Sequence, residues 1–497
     1  MAVMTLKVLL EGIADVSKNV DCSVIGLSDD SRNLSPGQVF LAYPGSHSDG
    51  RHYIDSAIAA GAVAVIYDND GDIVKPIDRT IPLVAVNNLR SCVGLIAARF
   101  FRHPSKDMNL YAVTGTNGKT SVSHFLAQAL NSNRPVGVMG TLGNGLWGSL
   151  ANSSLTTQSA LSLQKMLMQM RADGVVDVVM EASSHGLVQD RLAATQVSTA
   201  IFTNLSQDHL DYHQTMEEYA AAKRRLFDIA GLKYAVVNVY DAFGAQLAAS
   251  LPANVDLVSY GLQRADGTNT SVIPMIQGVI RQFSATGMEI DIKSPYGSAT
   301  LVSPVLGHFN AENLLAVLAA MLANDIDFDV AVEKLSKTKP VIGRMENFGG
   351  LAQPQVFVDY AHTPAALQAA LSELKQCFPG KLYVVFGCGG ERDKNKRAQM
   401  GEIAQRFADV VVVTDDNPRH ESPQKIIDDI LMGANDSSRV SVQRDRAKAI
   451  LSCLEQAKQG DVVLVAGKGH EAYQLMGDQR LVFSDRDFVR EFMAQAA

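Results

Sequence analysis

Apolar and polar positions divide the chain into three textures. Over residues 1–105, the short apolar runs "GQVFLAYPG", "AVAVIYD" and "IPLVAV" alternate with the helix-like stretches "YIDSAIAAGA" and "RSCVGLIAARFF", which predicts a small α/β unit. The polar stretch "RHPSKDMN" then reads as a linker. Over 106–338, the runs "LYAVTG", "VVDVVMEA", "STAIFTN" and "YAVVNV" are separated by helix-length segments, the pattern of a mostly parallel sheet wound with helices. A second linker, "KTKPVIGRME", closes this region. Over 339–497 the pattern restarts with "QVFVDYAH", "KLYVVFGCGG", "DVVVVTDDN" and "DVVLVAGKG", uniformly apolar runs that suit a parallel sheet covered on both faces. Ligands of such sheets collect outside the carboxyl ends of the strands, so the polar tails of these four runs are expected to share one crevice. The fold class expected is α/β in three domains, without internal repeats or low-complexity tracts.

Composition agrees with this division. At roughly 100–200 residues per domain, 497 residues make about three domains. With 47% hydrophobic and 19% charged residues the chain is an ordinary soluble globular one. A net charge of −8 and a pI near 5.8 give no reason to expect a nucleic-acid partner or a membrane surface, so acidic ligands would need local basic pockets. The five cysteines lie far apart with no Cys-x-x-Cys spacing, which argues against a disulfide framework or a zinc site and for reduced thiols in the cytoplasm. The first twenty residues lack the layout of a signal peptide, and no apolar stretch reaches the roughly 18–20 residues needed to span a bilayer. A cytoplasmic protein without membrane insertion is expected.

The strongest local signal is "LYAVTGTNGKTSVSHFLAQAL". An apolar strand ends at Val113, a glycine-bearing loop follows, and Lys119, Thr120 and Ser121 open an amphipathic helix. Gly115 and Gly118 let backbone N–H groups approach phosphate oxygens, the helix start adds positive potential, Lys119 reaches the β/γ-phosphates and Thr120 can ligate Mg²⁺. The usual G-x-x-x-x-G-K-[ST] pattern would put glycine where Val113 stands, so this is a shorter T-G-T-N-G-K-T form. The bland alternative is a glycine-rich turn with a chance lysine, but strand, loop and helix all agree on a nucleotide site. Glu181 ends the strand of "VVDVVMEASSHG", and Asp208 and His209 follow the next one. Singly such groups are more often caps or satisfied polar residues; two beside a phosphate loop favour a metal-assisted reaction. Lys223, in "TMEEYAAAKRRLF", reads by itself as a solvated or snorkelling lysine.

These motifs, followed by "GHFNAENLLA", "GRME", "VDYAHTP", "FGCGGERDKNKR", "DDNPR" and "AGKGHE", occur in one order over nearly the whole chain. The set resembles the Mur ligases, the ATP-dependent amide-forming enzymes of peptidoglycan precursor synthesis. The resemblance implies a domain for the uridine nucleotide (1–105), a central P-loop-type ATPase (106–338), and a C-terminal Rossmann-like domain that brings the incoming amino acid (339–497). ATP and Mg²⁺ are implied as cofactors, UDP-N-acetylmuramoyl-L-alanyl-D-glutamate and meso-2,6-diaminopimelate as substrates, and an acyl phosphate as intermediate; a monomer is expected, although nothing in the sequence bears on the assembly state.

Residue by residue, Gly115, Thr116, Asn117, Gly118, Lys119, Thr120, Ser121, Asn313, Arg344 and Asp359 match the family's ATP contacts. Lys119, Glu181, His209 and Lys223 match catalytic positions. Thr120, Glu181, His209 and Lys223, the last as a carbamate formed with CO₂, match the metal site. Asp29, Ser31, Ser46, His47 and Ser48 line up with the uridine-binding segments, and Thr156, Thr157, Ser183, Gln189 and Arg191 with contacts to the muramoyl dipeptide. In the third domain Arg419, with Arg392 as a second, suits a carboxylate of the amino acid, because arginine's planar fork binds one bidentately. Asp416, Asn417 and Glu471 supply oxygens for ammonium groups, Gly467 permits close backbone approach, and Pro418 holds the backbone that aims Arg419. Leu155, where an asparagine often precedes the Thr-Thr pair, and Asp29, where an apolar residue is common, depart from the pattern. A lysine-adding ligase of the same pathway and a folylpolyglutamate synthetase remain alternatives, as does a nucleotide-binding switch that condenses nothing.

Overall fold

The apolar runs of the N-terminal region form four short strands, β1 (Gly26–Ser28), β2 (Gln38–Ala42), β3 (Ala64–Asp68) and β4 (Leu83–Val86), parallel and in sequence order. Alternation along β2 sends Val39 and Leu41 to one core with helix α2 (Leu89–Phe100), and Phe40 and Ala42 to another with α1 (Ile54–Ala59). In the computed structural model, residues 4–45, 48–71, 81–131, 134–263, 272–284, 287–349, 353–434, 436 and 438–495 are described. The chain divides into two compact units, one gathering residues 1–112, 130–200 and 222–233, the other 113–129, 201–221 and 234–497.

The central strands are β5 (Asn109–Thr114), β6 (Val136–Gly140), β7 (Gly143–Leu146), β8 (Ser149–Ala151), β9 (Asp177–Glu181), β10 (Thr199–Phe202), β11 (Tyr234–Asn238), β12 (Asp256–Leu262), β13 (Ile276–Ser284), β14 (Gly287–Ser294) and β15 (Gly297–Ser303). They form one eleven-stranded sheet in the order β8-β7-β6-β9-β5-β10-β11-β12-β13-β14-β15. Its interior pairs, such as β9 with β6 and β11 with β12, are parallel as the sequence predicts. Both edges are antiparallel: β6-β7-β8 on one side and β13-β14-β15 on the other. The cause is chain length, since two residues link β6 to β7 and β14 to β15, too few for a crossover helix. Helices α3 (Lys119–Leu130), α4 (Met216–Arg224) and α5 (His308–Ala323) belong to this region, and α5 is apolar on nearly every side and correspondingly buried.

The C-terminal strands β16 (Glu346–Asn347), β17 (Gln355–Asp359), β18 (Leu382–Phe386), β19 (Val410–Val413), β20 (Val440–Val442) and β21 (Val462–Ala466) pair in the order β16-β17-β21-β18-β19-β20. All but β16 run parallel. Odd and even positions separate cleanly: Phe357, Val384, Val411 and Leu464 pack beneath α6 (Pro364–Cys377), α7 (Asn395–Phe407) and α8 (Pro423–Leu431). Val358, Val385, Val412 and Val465 pack under α9 (Arg446–Gln456) and α10 (Asp485–Gln495). Covered on both faces, the sheet presents most of its polar groups at its strand ends. Among the described residues, no helix is long and apolar enough to cross a membrane.

Candidate active site

β5 ends at Thr114 and α3 begins at Lys119, so Gly115–Gly118 makes the whole turn. Gly115 sits at φ +152° with a would-be Cβ 1.9 Å from Thr203 Oγ1, and Gly118 at φ +87° with one 2.5 Å from Asn313 Oδ1, so neither position accepts a side chain. The segment after β10 props the loop. Thr203 Oγ1 donates to Asn117 O (2.6 Å), Asn117 N–H donates to Asn204 Oδ1 (3.0 Å), and Thr116 Oγ1 donates to Ser206 O (3.1 Å). Lys119 Nζ reaches back over the loop to Gly115 O (2.8 Å) and Thr116 O (2.9 Å), leaving a cation beside the N–H groups of the helix start.

The remaining sequence-predicted ATP residues converge here. Asn313 packs against Gly118, and Arg344 Nη2 donates to Thr120 Oγ1 (3.1 Å) while its guanidinium lies 4.3 Å from the ring centre of Tyr360. Asp359, at the end of β17, accepts from the N–H groups of Met345 (2.7 Å) and Ala361 (2.8 Å). Burial pushes its carboxyl up against the pull of Arg344. His124, one turn along α3, is lowered to about 4 by burial and by Arg344, so it is neutral at physiological pH.

Asp208 is the better-anchored member of the pair after β10. His209, strained at φ +55°, gives its N–H to Asp208 Oδ1 (2.9 Å), while its ring Nε2 lies 3.4 Å and that of His362 4.0 Å from Oδ2. Burial alone would raise the Asp208 carboxyl, but His209, His362 and Lys396 outweigh it and hold the group well below the usual carboxylate range. The sequence singles out Asp208 and His209 together and assigns a role only to His209; the buried anion of the pair is Asp208.

In the other unit Glu181 is buried at the end of β9. Thr141 N–H donates to Oε1 (2.8 Å) and Thr141 Oγ1 to Oε2 (3.1 Å), and a Cβ on Gly140 would fall 2.3 Å from Oε1. Thr156 Oγ1 lies 3.1 Å from Thr141 Oγ1, and Thr157 Oγ1 donates to Glu181 O (2.9 Å) while accepting from Ser183 N–H (2.9 Å). Arg191 binds Thr157 O and, at 2.7 Å, Gln189 Oε1. The five dipeptide candidates thus form one hydrogen-bonded row beside Glu181. Asp29 receives Tyr43 OH (3.2 Å) and Ser159 Oγ (3.4 Å), and burial raises its carboxyl. Ser31 opens a short 3₁₀ turn and Ser48 is exposed; Ser46 and His47 lie outside the described residues. Leu155 is exposed.

Lys223 corrects the reading made from its helix alone. It is 1% exposed, on the same face of α4 as the buried Tyr219 one turn earlier, so it points inward rather than into solvent. Among the described residues no three His, Cys, Asp or Glu side chains close up as a metal site of their own.

The third-domain loops meet at one edge, as expected. β19 ends in Thr414–Arg419, and a Cβ on Gly467, after β21, would sit 2.7 Å from Asp416 Oδ2. Asn417 Nδ2 donates to Glu471 Oε2 (2.9 Å), and Lys468, fully buried, donates to the same oxygen (2.9 Å) and to Asn417 Oδ1 (3.2 Å). Sequence reading named Asn417 and Glu471 but not the lysine that ties them together. Arg419, at φ +55°, donates from Nη1 to Gly390 O (2.8 Å) and forms no ion pair among the described residues. Burial and the neighbouring Arg392 lower its pKa, against Asp416, Glu471 and Glu391.

A phosphate loop on a tight glycine turn, a hydrogen-bonded polar row beside the buried Glu181 carboxylate and a doubly covered parallel sheet with a polar edge are the parts of a nucleotide-dependent ligase. Residues 24–101 match the Mur ligase family catalytic domain, 113–321 the Mur ligase middle domain and 343–469 the Mur ligase glutamate ligase domain. The chain belongs to the Mur ligase family. It is 44% identical to a UDP-N-acetylmuramoyl-L-alanyl-D-glutamate–2,6-diaminopimelate ligase of Alkalilimnicola ehrlichii over 99% of both chains. It is likewise 44% identical to the protein of that name from Chromobacterium violaceum, over 92% of this chain and 91% of that one. A solved structure of a ligase of the same name aligns over 100% of both chains with a TM-score of 0.68 at 35% identity.

Proposed function

We propose that the protein joins meso-2,6-diaminopimelate to the D-glutamyl γ-carboxylate of UDP-N-acetylmuramoyl-L-alanyl-D-glutamate, with ATP converted to ADP and phosphate. A carboxylate oxygen attacks the γ-phosphorus of ATP, the bond to ADP breaks, and an acyl phosphate forms. The diaminopimelate amine, having lost a proton, adds to the carbonyl; the tetrahedral intermediate expels phosphate and leaves the amide. Lys119, Gly115–Ser121, Asn313, Arg344 and Asp359 hold the nucleotide, and Lys119 with the helix start offsets charge on the γ-phosphoryl group. Asp29, Ser31, Ser46, His47 and Ser48 hold the uridine end, and Thr156, Thr157, Ser183, Gln189 and Arg191 the dipeptide end. The proposed domain limits are 1–105, 106–338 and 339–497.

Taken one by one, the proposed Mg²⁺ ligands have chemistry that suits the ion: the Thr120 hydroxyl and the buried Glu181 carboxylate offer hard oxygens, and His209 and Lys223, the latter as a carbamate, would complete the set. When bound, the ion would supply positive charge that offsets the negative charge of the phosphates.

The observation that carries the acceptor assignment is Arg419, a half-buried guanidinium with no ion-pair partner among the described residues, beside Asn417, Glu471 and Arg392. A distal carboxylate satisfies that fork, whereas the distal ammonium of lysine would be repelled and leave it empty. Phosphate release with ATP, Mg²⁺ and the UDP-muramoyl dipeptide should depend on meso-diaminopimelate. Turnover with L-lysine that matches or exceeds it would overturn the assignment.

A further inference from the structure

Arg397, on α7, is completely buried and does not belong to the crevice. Its Nη1 and Nη2 donate to Glu421 Oε1 (2.8 Å) and Oε2 (2.7 Å), and Nη1 also donates to Asp429 Oδ2 (2.8 Å) on α8. Glu421 then grips both loops of the acceptor edge: Oε2 accepts from Glu391 N–H (3.0 Å), and its own N–H donates to Pro418 O (3.2 Å). Between those points the loops touch through main chain. Gly390 N–H donates to Asn417 O (3.0 Å), and a Cβ on Gly390 would fall 1.9 Å from Pro418 O.

Two residues of this clasp, Glu391 and Arg419, both hold φ +55°, a left-handed conformation that non-glycine residues adopt at a cost. Such strain persists only where the surroundings over-determine it. Among the described residues, the buried charged anchor reaching both loops is the Arg397–Glu421 pair, with Arg397 Nη2 also 3.4 Å from Gly389 O and Lys394 Nζ, on the exposed side, 3.6 Å from Glu421 Oε1.

We propose that Arg397, acting through Glu421, is the positioning residue for Arg419: it locks the 389–392 and 417–421 loops together so that the Arg419 guanidinium is presented to the distal carboxylate of the acceptor. The inference rests on the reading of Arg419 given above. Asp429 supplies an internal control, because it shares the same guanidinium but belongs to α8 and, among the described residues, forms no hydrogen bond to either loop.

The test is steady-state kinetics of the full-length protein with each substrate varied in turn, together with thermal melting. Glu421→Gln should raise the KM for diaminopimelate by about ten-fold, the equivalent of one charge-assisted hydrogen bond, with the KM for ATP held within about two-fold. Asp429→Asn, with a comparable drop in melting temperature, should leave the diaminopimelate KM within about two-fold of the parent. Arg397→Lys, which keeps the charge but loses the fork, should behave as Glu421→Gln does and not as a rescue. If Glu421→Gln does not fold, Glu421→Asp, which keeps the charge on a shorter arm, is read in the same way. Equal diaminopimelate KM values for Glu421→Gln and Asp429→Asn, or a parallel rise in the KM for ATP, would overturn the positioning role. Arg419→Ala separates the two levels. If it leaves the diaminopimelate KM unchanged, the reading of Arg419 fails and this inference with it; if it raises that KM while Glu421→Gln does not, the positioning inference fails alone.

Discussion

Gly140→Ala adds a single methyl group where Glu181 has no room to spare. A Cβ at this position would lie 2.3 Å from Glu181 Oε1, and the backbone of Gly140 is not left-handed, so the perturbation is steric alone. Restoring van der Waals contact moves the carboxylate by about 1 Å. From 2.8 and 3.1 Å, its bonds to the Thr141 N–H and hydroxyl would then pass beyond hydrogen-bonding range. Hydrogen bonds to a charged acceptor contribute about 1.5–3 kcal/mol each, so up to about 3–6 kcal/mol of orientation is at stake, and even half of it displaces a ligand by more than ten-fold in affinity. The assay is ADP formation against Mg²⁺ concentration at saturating substrates: the half-saturating Mg²⁺ should rise by at least about ten-fold, with the KM for diaminopimelate unchanged. A variant whose melting temperature falls while its Mg²⁺ dependence stays put would show that Glu181 can move without consequence for the metal, and the assignment of this carboxylate would be wrong.

Lys223→Ala should lose turnover and regain part of it when a small carboxylic acid is added, because a carbamate's negative charge is what the variant lacks; no recovery across a concentration series would count against carbamylation. Arg446 and Asp485 form an ion pair at zero exposure, with Arg446 also donating to Ala466 O at 2.9 Å. Removing either partner alone should cost about 3–5 kcal/mol, whereas Arg446→Met with Asp485→Leu should recover most of it; denaturant melts that find the double variant as weak as the singles would refute the orphaned-charge account. His124, lowered to about 4, favours the folded state fully above about pH 6.5, and this contribution is withdrawn as pH falls toward 4, by roughly 3 kcal/mol in all. His124→Gln should flatten stability against pH over that window, and an unchanged slope would place the acid sensitivity elsewhere.

What could be read from the sequence was what depends on neighbours along the chain. The phosphate loop was legible because Gly115, Gly118, Lys119 and Thr120 must sit within one strand-to-helix turn to work at all. The third-domain strands were legible because four valines in a row exclude a half-solvated sheet. Charged groups whose burial depends on distant partners were not legible. Lys468 sits in "AGKGHE" and Arg397 in "DKNKR", runs that look solvated, yet both are fully buried: Lys468 against Glu471 of its own run and Asn417 from the end of β19, Arg397 against Glu421 and Asp429. Lys223 is likewise buried, and Asp208 gains its importance from His362, after β17, and Lys396, at the start of α7, both far away in sequence. The antiparallel edges of the central sheet were missed for two reasons: β7 and β8 are only four and three residues long, and β13–β15, though long and alternating, were not separated from the helix-length segments between the apolar runs.

The main-chain contact between the loops at Gly390 and Pro418 bears on how such a site can change over evolutionary time. The frame is set by glycine, proline and a buried charge pair, none of which needs to touch the incoming amino acid, while the groups facing it are separate side chains standing on that frame. Acceptor preference can therefore drift most freely through substitutions at exposed positions such as 392, whereas Arg419, which holds φ +55° and bonds Gly390 O, belongs to the frame as well as to recognition. The frame itself tolerates almost no change, because a β-carbon at Gly390 would drive the loops apart. Diversification of the amino acid added and constancy of the scaffold that adds it are, on this geometry, two sides of one division of labour.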